Sequence, residues 1–117
     1  LVADDFAGEG IADHGAAWLD AVGYPHGDLL ETGERIWNLV RLFNVREGFD
    51  RDDDALPAVL NEGALSGEHF EAMLDAYYAA RGWGADGRPA RETLARLELL
   101  TVVDDAGQIA EEPIGAD

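Results

Sequence analysis

Cysteine is absent from this chain of 117 residues. With it go disulfides, thiolate nucleophiles, the usual Cys-type structural zinc and every Cys-ligated iron–sulfur cluster. Lysine is absent too: all eight basic residues are arginine, set against 25 Asp plus Glu for a formal net charge of −17. A surface so short of positive charge repels nucleic acid and anionic membranes, because both are bound through basic patches. No apolar run nears the roughly 20 residues that cross a bilayer. The start at Leu1 shows neither an initiator Met nor the basic, apolar and small-residue order of a signal peptide. These absences suggest a soluble piece of something longer.

What is present argues for a folded body. Hydrophobic residues make up 47% of the chain and three Trp are among them, too much for a disordered acidic tail. The length fits one domain, which removes about two-thirds of its extended surface from water. The excess of acid then reads as a salt-adapted surface, whose self-repulsion is screened by the solvent. Its expected setting is the cytoplasm of a halophilic archaeon.

Periodicity places four helices. Ile11, Gly15, Trp18, Leu19 and Val22 form one stripe over 9–22, closed by Gly23 and the turn Tyr24-Pro25-His26-Gly27. Asp28 with Glu31 gives a capping-box pattern for a second helix over about 29–47. There Leu29, Gly33, Ile36, Trp37, Leu39, Val40 and Phe43 make a wide apolar arc, expected in the middle of a packed body. From Ile36 and Trp37 round to Phe43 it exceeds what three short helices can bury, and the chain alone is expected to keep an exposed patch there. Glu31, Glu34, Arg35, Asn38 and Arg41 make the polar stripe, interrupted by Leu42 and Val45. Ser66 suits the cap of a third helix whose core stripe is Phe70, Met73, Leu74, Tyr77 and Tyr78, ended by Gly82. Pro89 suits the first turn of a fourth, with Leu94 and Leu97 inward and Leu99 and Leu100 at its end. The expected fold is all-α, an irregular orthogonal bundle of about four helices over 1–100. The remainder, 101–117, reads as a partly disordered tail. Within it Thr101–Val103 can pair with Gln108–Ala110 as a small β-hairpin.

No self-contained catalytic constellation emerges. Asp50, Asp52 and Asp54 hold the first, third and fifth positions of a calcium loop, but Ala55, Pro57 and Asn61 stand where a turn Gly, a permissive residue and a bidentate Glu are needed. A solvated acidic loop is the better reading. His14 reads as an edge-of-core histidine, His26 sits in a turn and His69 opens the third helix; the three are too scattered for a helical metal pair. Gly82–Gly87 follows a helix rather than a strand and lacks the Lys-Ser/Thr of a phosphate loop, so it is a connection. Catalytic, cofactor-binding and metal residues are therefore expected to be none.

Two stretches carry a resemblance. Residues 33–49 read Gly-Glu-Arg-Ile-Trp-Asn-Leu-Val-Arg-Leu-Phe-Asn-Val-Arg-Glu-Gly-Phe, followed by Asp50–Asp54 and Leu56-Pro57. Residues 73–83 read Met-Leu-Asp-Ala-Tyr-Tyr-Ala-Ala-Arg-Gly-Trp, followed by Asp86-Gly87-Arg88-Pro89 and Glu92-Thr93-Leu94. In this order and spacing the chain resembles the C-terminal helical part of the tungsten-containing aldehyde ferredoxin oxidoreductase family, over most of 9–99. The resemblance implies a parent enzyme that converts an aldehyde and water to the carboxylic acid. Its cofactors would be a tungsten-bispterin and one 4Fe-4S cluster, and ferredoxin would take the electrons. The family's Asp-x-x-Gly-x-Cys cluster motif does not occur here, so no catalytic or ligand position carries over. Ala58–Leu65 also departs from the longer family loop after Leu56-Pro57.

The role this leaves for the chain is scaffolding: it covers the cofactor and packs on the parent's remaining domains. Trp37, Arg41, Asn44 and Arg46 are the candidate interdomain residues, since an arginine fork suits carboxylates and an Asn amide suits backbone groups. The competing reading is a free-standing acidic helical module that binds a protein partner. Neither the aldehyde nor the choice of tungsten over molybdenum is legible, nor are the oligomeric state and the role of the tail after Leu100.

Overall fold

The computed structural model describes residues 10–57 and 67–115. Four α-helices follow in order, α1 Gly10–Ala21, α2 Leu29–Arg46, α3 Gly67–Arg81 and α4 Arg91–Arg96, with short 3-10 turns at Arg51–Asp54, Leu100–Val102 and Ala106–Gln108. The all-α expectation holds: among the described residues β pairing is limited to two isolated bridges, Trp83 with Pro89 and Ala90 with Ala110. The expected cap at Ser66 and the divergent Ala58–Leu65 lie outside the described residues. So does the side chain of Ile11.

The chain divides into two compact units, Leu1–Ile36 and Trp37–Asp117. In the first, Asp28 caps α2 by accepting from the N–H groups of Leu30 (2.8 Å) and Glu31 (3.2 Å). Glu31 itself lies 3.7 Å from Arg35 rather than completing a capping box. The His26 ring nitrogens lie 2.9 Å from the Gly27 carbonyl and 3.2 Å from Asp20. The Gly27 hydrogen bond, with Asp20 adding to it, holds the imidazole pKa above its ordinary value. His14 is exposed beside Trp18, ring centroids 6.2 Å apart, and not at a core edge as its position in the stripe suggested.

In the second unit the core is Leu42, Leu94, Leu97 and Leu99, with Leu100, Val103 and Ile109 packed against it. Residues 101–115 thus add to the body, and the Ile114 N–H donates to the Trp83 carbonyl at 2.8 Å. The expected hairpin is absent: Leu100–Val102 and Ala106–Gln108 wind into 3-10 turns instead. The donors of the two expected strands are spent elsewhere: Val102 and Val103 donate to Leu99 and Leu100, Gln108 and Ile109 to Asp105 and Ala106, and Ala110 to Pro89. Gln108 holds the turn between them, its Oε1 accepting from the N–H groups of Asp104 and Asp105 while Nε2 donates to the Leu42 carbonyl.

Helix α2 faces inward with the side opposite to the one its pattern indicated. Asn38 and Leu42 are 0% and 2% exposed and Arg41 is 7% exposed, whereas Ile36, Leu39 and Phe43 are 57%, 46% and 53% exposed. An apolar stripe marks the interior only while the polar residues have no buried partners. Here the partners exist, and the polar stripe with Leu42 becomes the inner face.

All four helices end alike, each with a pair of back-reaching N–H bonds. Tyr24 reaches Leu19, Phe49 reaches Asn44, Trp83 reaches Tyr78 and Leu99 reaches Leu94. The motif needs a left-handed residue at the exit. Gly23, Gly48 and Gly82 supply it at positive φ, but after α4 the position is Glu98 at φ 57°. This turn also stops α4 at Arg96, short of the expected Leu100. Glu98→Gly is therefore expected to raise the unfolding free energy by about 1 kcal/mol, the cost of holding an L side chain in that region. A urea midpoint that rises at unchanged slope checks it; a lowered midpoint would show that the Glu98 side chain stabilises the turn.

Candidate functional site

The most connected point of the second unit is a charged pair set among aromatic rings. Arg41, on the inner face of α2, donates from both terminal nitrogens to the two Asp54 carboxylate oxygens at 2.9 and 2.7 Å. Its Nε donates to the Gly87 carbonyl at 2.8 Å. The Tyr78 hydroxyl, from α3, donates to the same carboxylate. The guanidinium carbon lies 5.0 Å from the Trp83 ring centroid and 5.9 Å from that of Tyr78, within cation–π range. Trp83 in turn donates through Nε1 to Asn38 Oδ1 at 2.8 Å. Gly87 closes the cluster at φ 78°, where an added Cβ would meet the Arg41 guanidinium and the Tyr78 hydroxyl.

Electrostatics lock this arrangement in one protonation state. Partial burial pushes the Asp54 carboxyl up, but the Arg41 and Tyr78 hydrogen bonds and the charges of Arg41 and Arg51 outweigh it, leaving the group below the usual carboxylate range. Burial, and then the bond to Asp54, push the Tyr78 phenol well above its ordinary value. It therefore stays a donor.

Above this floor lies an apolar groove of about 370 Å³, walled by Trp37, Val40, Phe70, Leu74 and Tyr77, with Asn44 at its side. Trp37 Nε1 donates to the Tyr77 hydroxyl at 2.6 Å, tying α2 to α3 across it. Of the four candidate contact residues, Trp37, Arg41 and Asn44 line this groove. Arg41 is its floor, with its fork already bound. Arg46 lies apart, its guanidinium carbon 5.0 Å from the Phe43 ring centroid and its nitrogens 3.2 Å from Glu47 and 3.3 Å from Asp104.

Sequence reasoning passed over Asp54, Tyr77, Tyr78, Trp83 and Asn38 as site residues. The acidic run instead divides its work. Asp50 accepts from the Asp52 N–H at 2.8 Å and Asp53 from the Asp50 N–H at 2.9 Å, capping the 3-10 turn that presents Asp54 to Arg41. Arg51 from the same turn pairs with Glu71 at 2.6 Å and Asp75 at 2.7 Å on α3. Among the described residues no group of three His, Asp or Glu could hold a metal ion, and no helix is long and apolar enough to cross a membrane.

Comparison with known proteins completes the picture. The family model described as aldehyde ferredoxin oxidoreductase, domains 2 and 3, matches residues 7–99. A tungsten-containing aldehyde ferredoxin oxidoreductase of Pyrococcus furiosus is 42% identical over 80 aligned positions, which cover 62% of this chain and 13% of that protein. The proteins of the same name from Pyrococcus abyssi and Thermococcus kodakarensis are 44% and 42% identical over the same shares. No solved structure matches the chain.

Proposed function

The chain belongs to the aldehyde ferredoxin oxidoreductase family, and on that premise we propose that it serves as a helical scaffolding piece of an enzyme that oxidises an aldehyde and water to the carboxylic acid. Two electrons and two protons leave in that reaction, the electrons going to ferredoxin. The observation that carries this reading is the match over residues 7–99 together with relatives named for the activity. The chain spans 13% of the length of those relatives, so the chemistry belongs to residues outside it.

The tungsten-pterin and four-iron cluster implied for the parent do not fit the residues in hand. There is no cysteine for a cluster, and the buried polar groups at the candidate site, Arg41, Asp54, Tyr78, Asn38 and Trp83, already bind one another. Their work is to hold α2, α3 and the 3-10 turn in register. Trp37 and Asn44 then face the parent's remaining domains, Arg41 supports them from beneath, and Arg46 lies beside the exposed Phe43. The net charge of −17 without lysine supports a salt-rich cytoplasm as the setting; it rests on composition alone, as the named relatives come from Pyrococcus and Thermococcus.

An antibody raised against this chain tests the proposal in the organism that makes it. The expected result is a native polypeptide several times heavier than 12.6 kDa that carries tungsten and iron, while the isolated chain carries neither. A native species of the chain's own mass, free of both metals, would favour the free-standing module instead.

A further inference from the structure

The groove between α2 and α3 has properties that select what fills it. Its walls are apolar, and Trp37 and Val40 stand 46% and 44% exposed. Its charged lining is a single pair, Asp54 neutralised by Arg41. On a chain of net charge −17 this is a neutral patch, so neither a cation nor an anion gains much there. A second copy is disfavoured wherever salt is too dilute to screen it, since two bodies of that charge repel.

Two polar groups at the groove are still open. Asn44 lines it half-buried, and among the described residues its side-chain amide has no hydrogen-bond partner. Tyr77 accepts from Trp37 through its hydroxyl oxygen, and that hydroxyl retains its own proton to give. An Asn amide offers one donor edge and one acceptor edge, the complement of a peptide group. Apolar walls beside a peptide reader describe a seat for an extended backbone with one apolar side chain.

We propose that this groove seats an extended segment of the parent polypeptide outside residues 1–117, with an apolar side chain against Val40, Phe70 and Leu74 and a peptide group on Asn44. The proposal rests on the reading of the chain as part of a longer enzyme, and the 13% coverage of the relatives leaves ample polypeptide to supply the segment. The test uses the full-length enzyme, with the photo-reactive residue p-benzoylphenylalanine placed by Val40→p-benzoylphenylalanine and, independently, by Phe70→p-benzoylphenylalanine. Met73, exposed on α3 and outside the groove, takes the same substitution as control. Cross-links from Val40 or Phe70 to a peptide outside residues 1–117, lost at Met73 and lost from Val40 when Trp37→Ala is added, are the expected result. Cross-links confined to residues 1–117, cross-links between copies, or none from either groove position would overturn it. The intact mass of the photolabelled protein reports separately on the parent reading: a native chain of only 117 residues sinks that reading, whereas a long chain labelled elsewhere sinks the groove alone.

Discussion

Asp54→Ala is expected to cost about 3 kcal/mol of stability, near the low end for removing one partner of a buried ion pair. The Arg41 side chain is only 8% exposed, so the loss leaves its guanidinium buried with a single carbonyl acceptor, and the Tyr78 hydroxyl loses its acceptor as well. The Asp54 side chain is 29% exposed; water reaching the vacated site keeps the cost from the upper end. Against a usual total of about 5–15 kcal/mol this is a large fraction. Urea unfolding followed by circular dichroism reads it, and a loss below about 1 kcal/mol would mean that the pair contributes no more than an exposed one. The double variant Arg41→Leu with Asp54→Leu should recover much of the loss, because no charge is then left stranded. The pH dependence has a definite sign. The folded-state pKa of Asp54 lies below its unfolded value, so the carboxylate's contribution is complete above the unfolded value of about 4 and fades as pH falls through the folded one. The gap between wild type and Asp54→Ala should accordingly narrow below about pH 4, while the other carboxylates titrate alike in both and cancel.

The helices were legible because their signals are local. Capping at Asp28, glycine exits at Gly23 and Gly82, and the three-four spacing in α2 and α3 all act within one or two turns. The inner face of α2 was not legible, because it is decided by residues far along the chain: Trp83 for Asn38, Asp54 and Gly87 for Arg41, and Gln108 for the backbone at Leu42. Once those partners are in place a polar stripe can be buried and an apolar arc left outside. Asp54 was hidden differently. Within Asp50–Asp54 nothing in composition separates the residue that meets Arg41 from those that cap a turn. A hint lay in Tyr78, which the α3 stripe placed inward, since a buried phenol needs an acceptor. The groove was half legible: Trp37, Arg41 and Asn44 were singled out on α2, but the α3 wall carrying Phe70, Leu74 and Tyr77 read only as core.

Raising KCl from about 10 mM to 1 M is expected to lift the thermal midpoint of the chain by about 10 °C or more, as the Debye length shrinks from roughly 30 Å to 3 Å. The direction is a contest between two salt effects. Screening relieves repulsion among 25 acidic groups set against eight arginines; it also weakens the favourable pairs. The exposed pairs in question, Arg46 with Asp104 and Glu47, Arg35 with Glu31, Arg51 with Glu71 and Asp75, and Arg88 with Asp86, contribute at most about 1 kcal/mol each. Arg41–Asp54 is sheltered by Tyr78 and Trp83 and is screened far less. The unpaired excess of negative charge is many groups strong and delocalised, so its relief outweighs the few weak pairs. Relief of about 2 kcal/mol moves the midpoint of a chain this size by about 10 °C. Choline chloride at matched ionic strength should reproduce most of the rise if screening is the cause, because it neither competes for specific cation sites nor resembles K⁺. A midpoint flat or falling with salt would mean that the acidic groups are stabilised by local pairs after all, and would remove the physical basis for a salt-adapted surface.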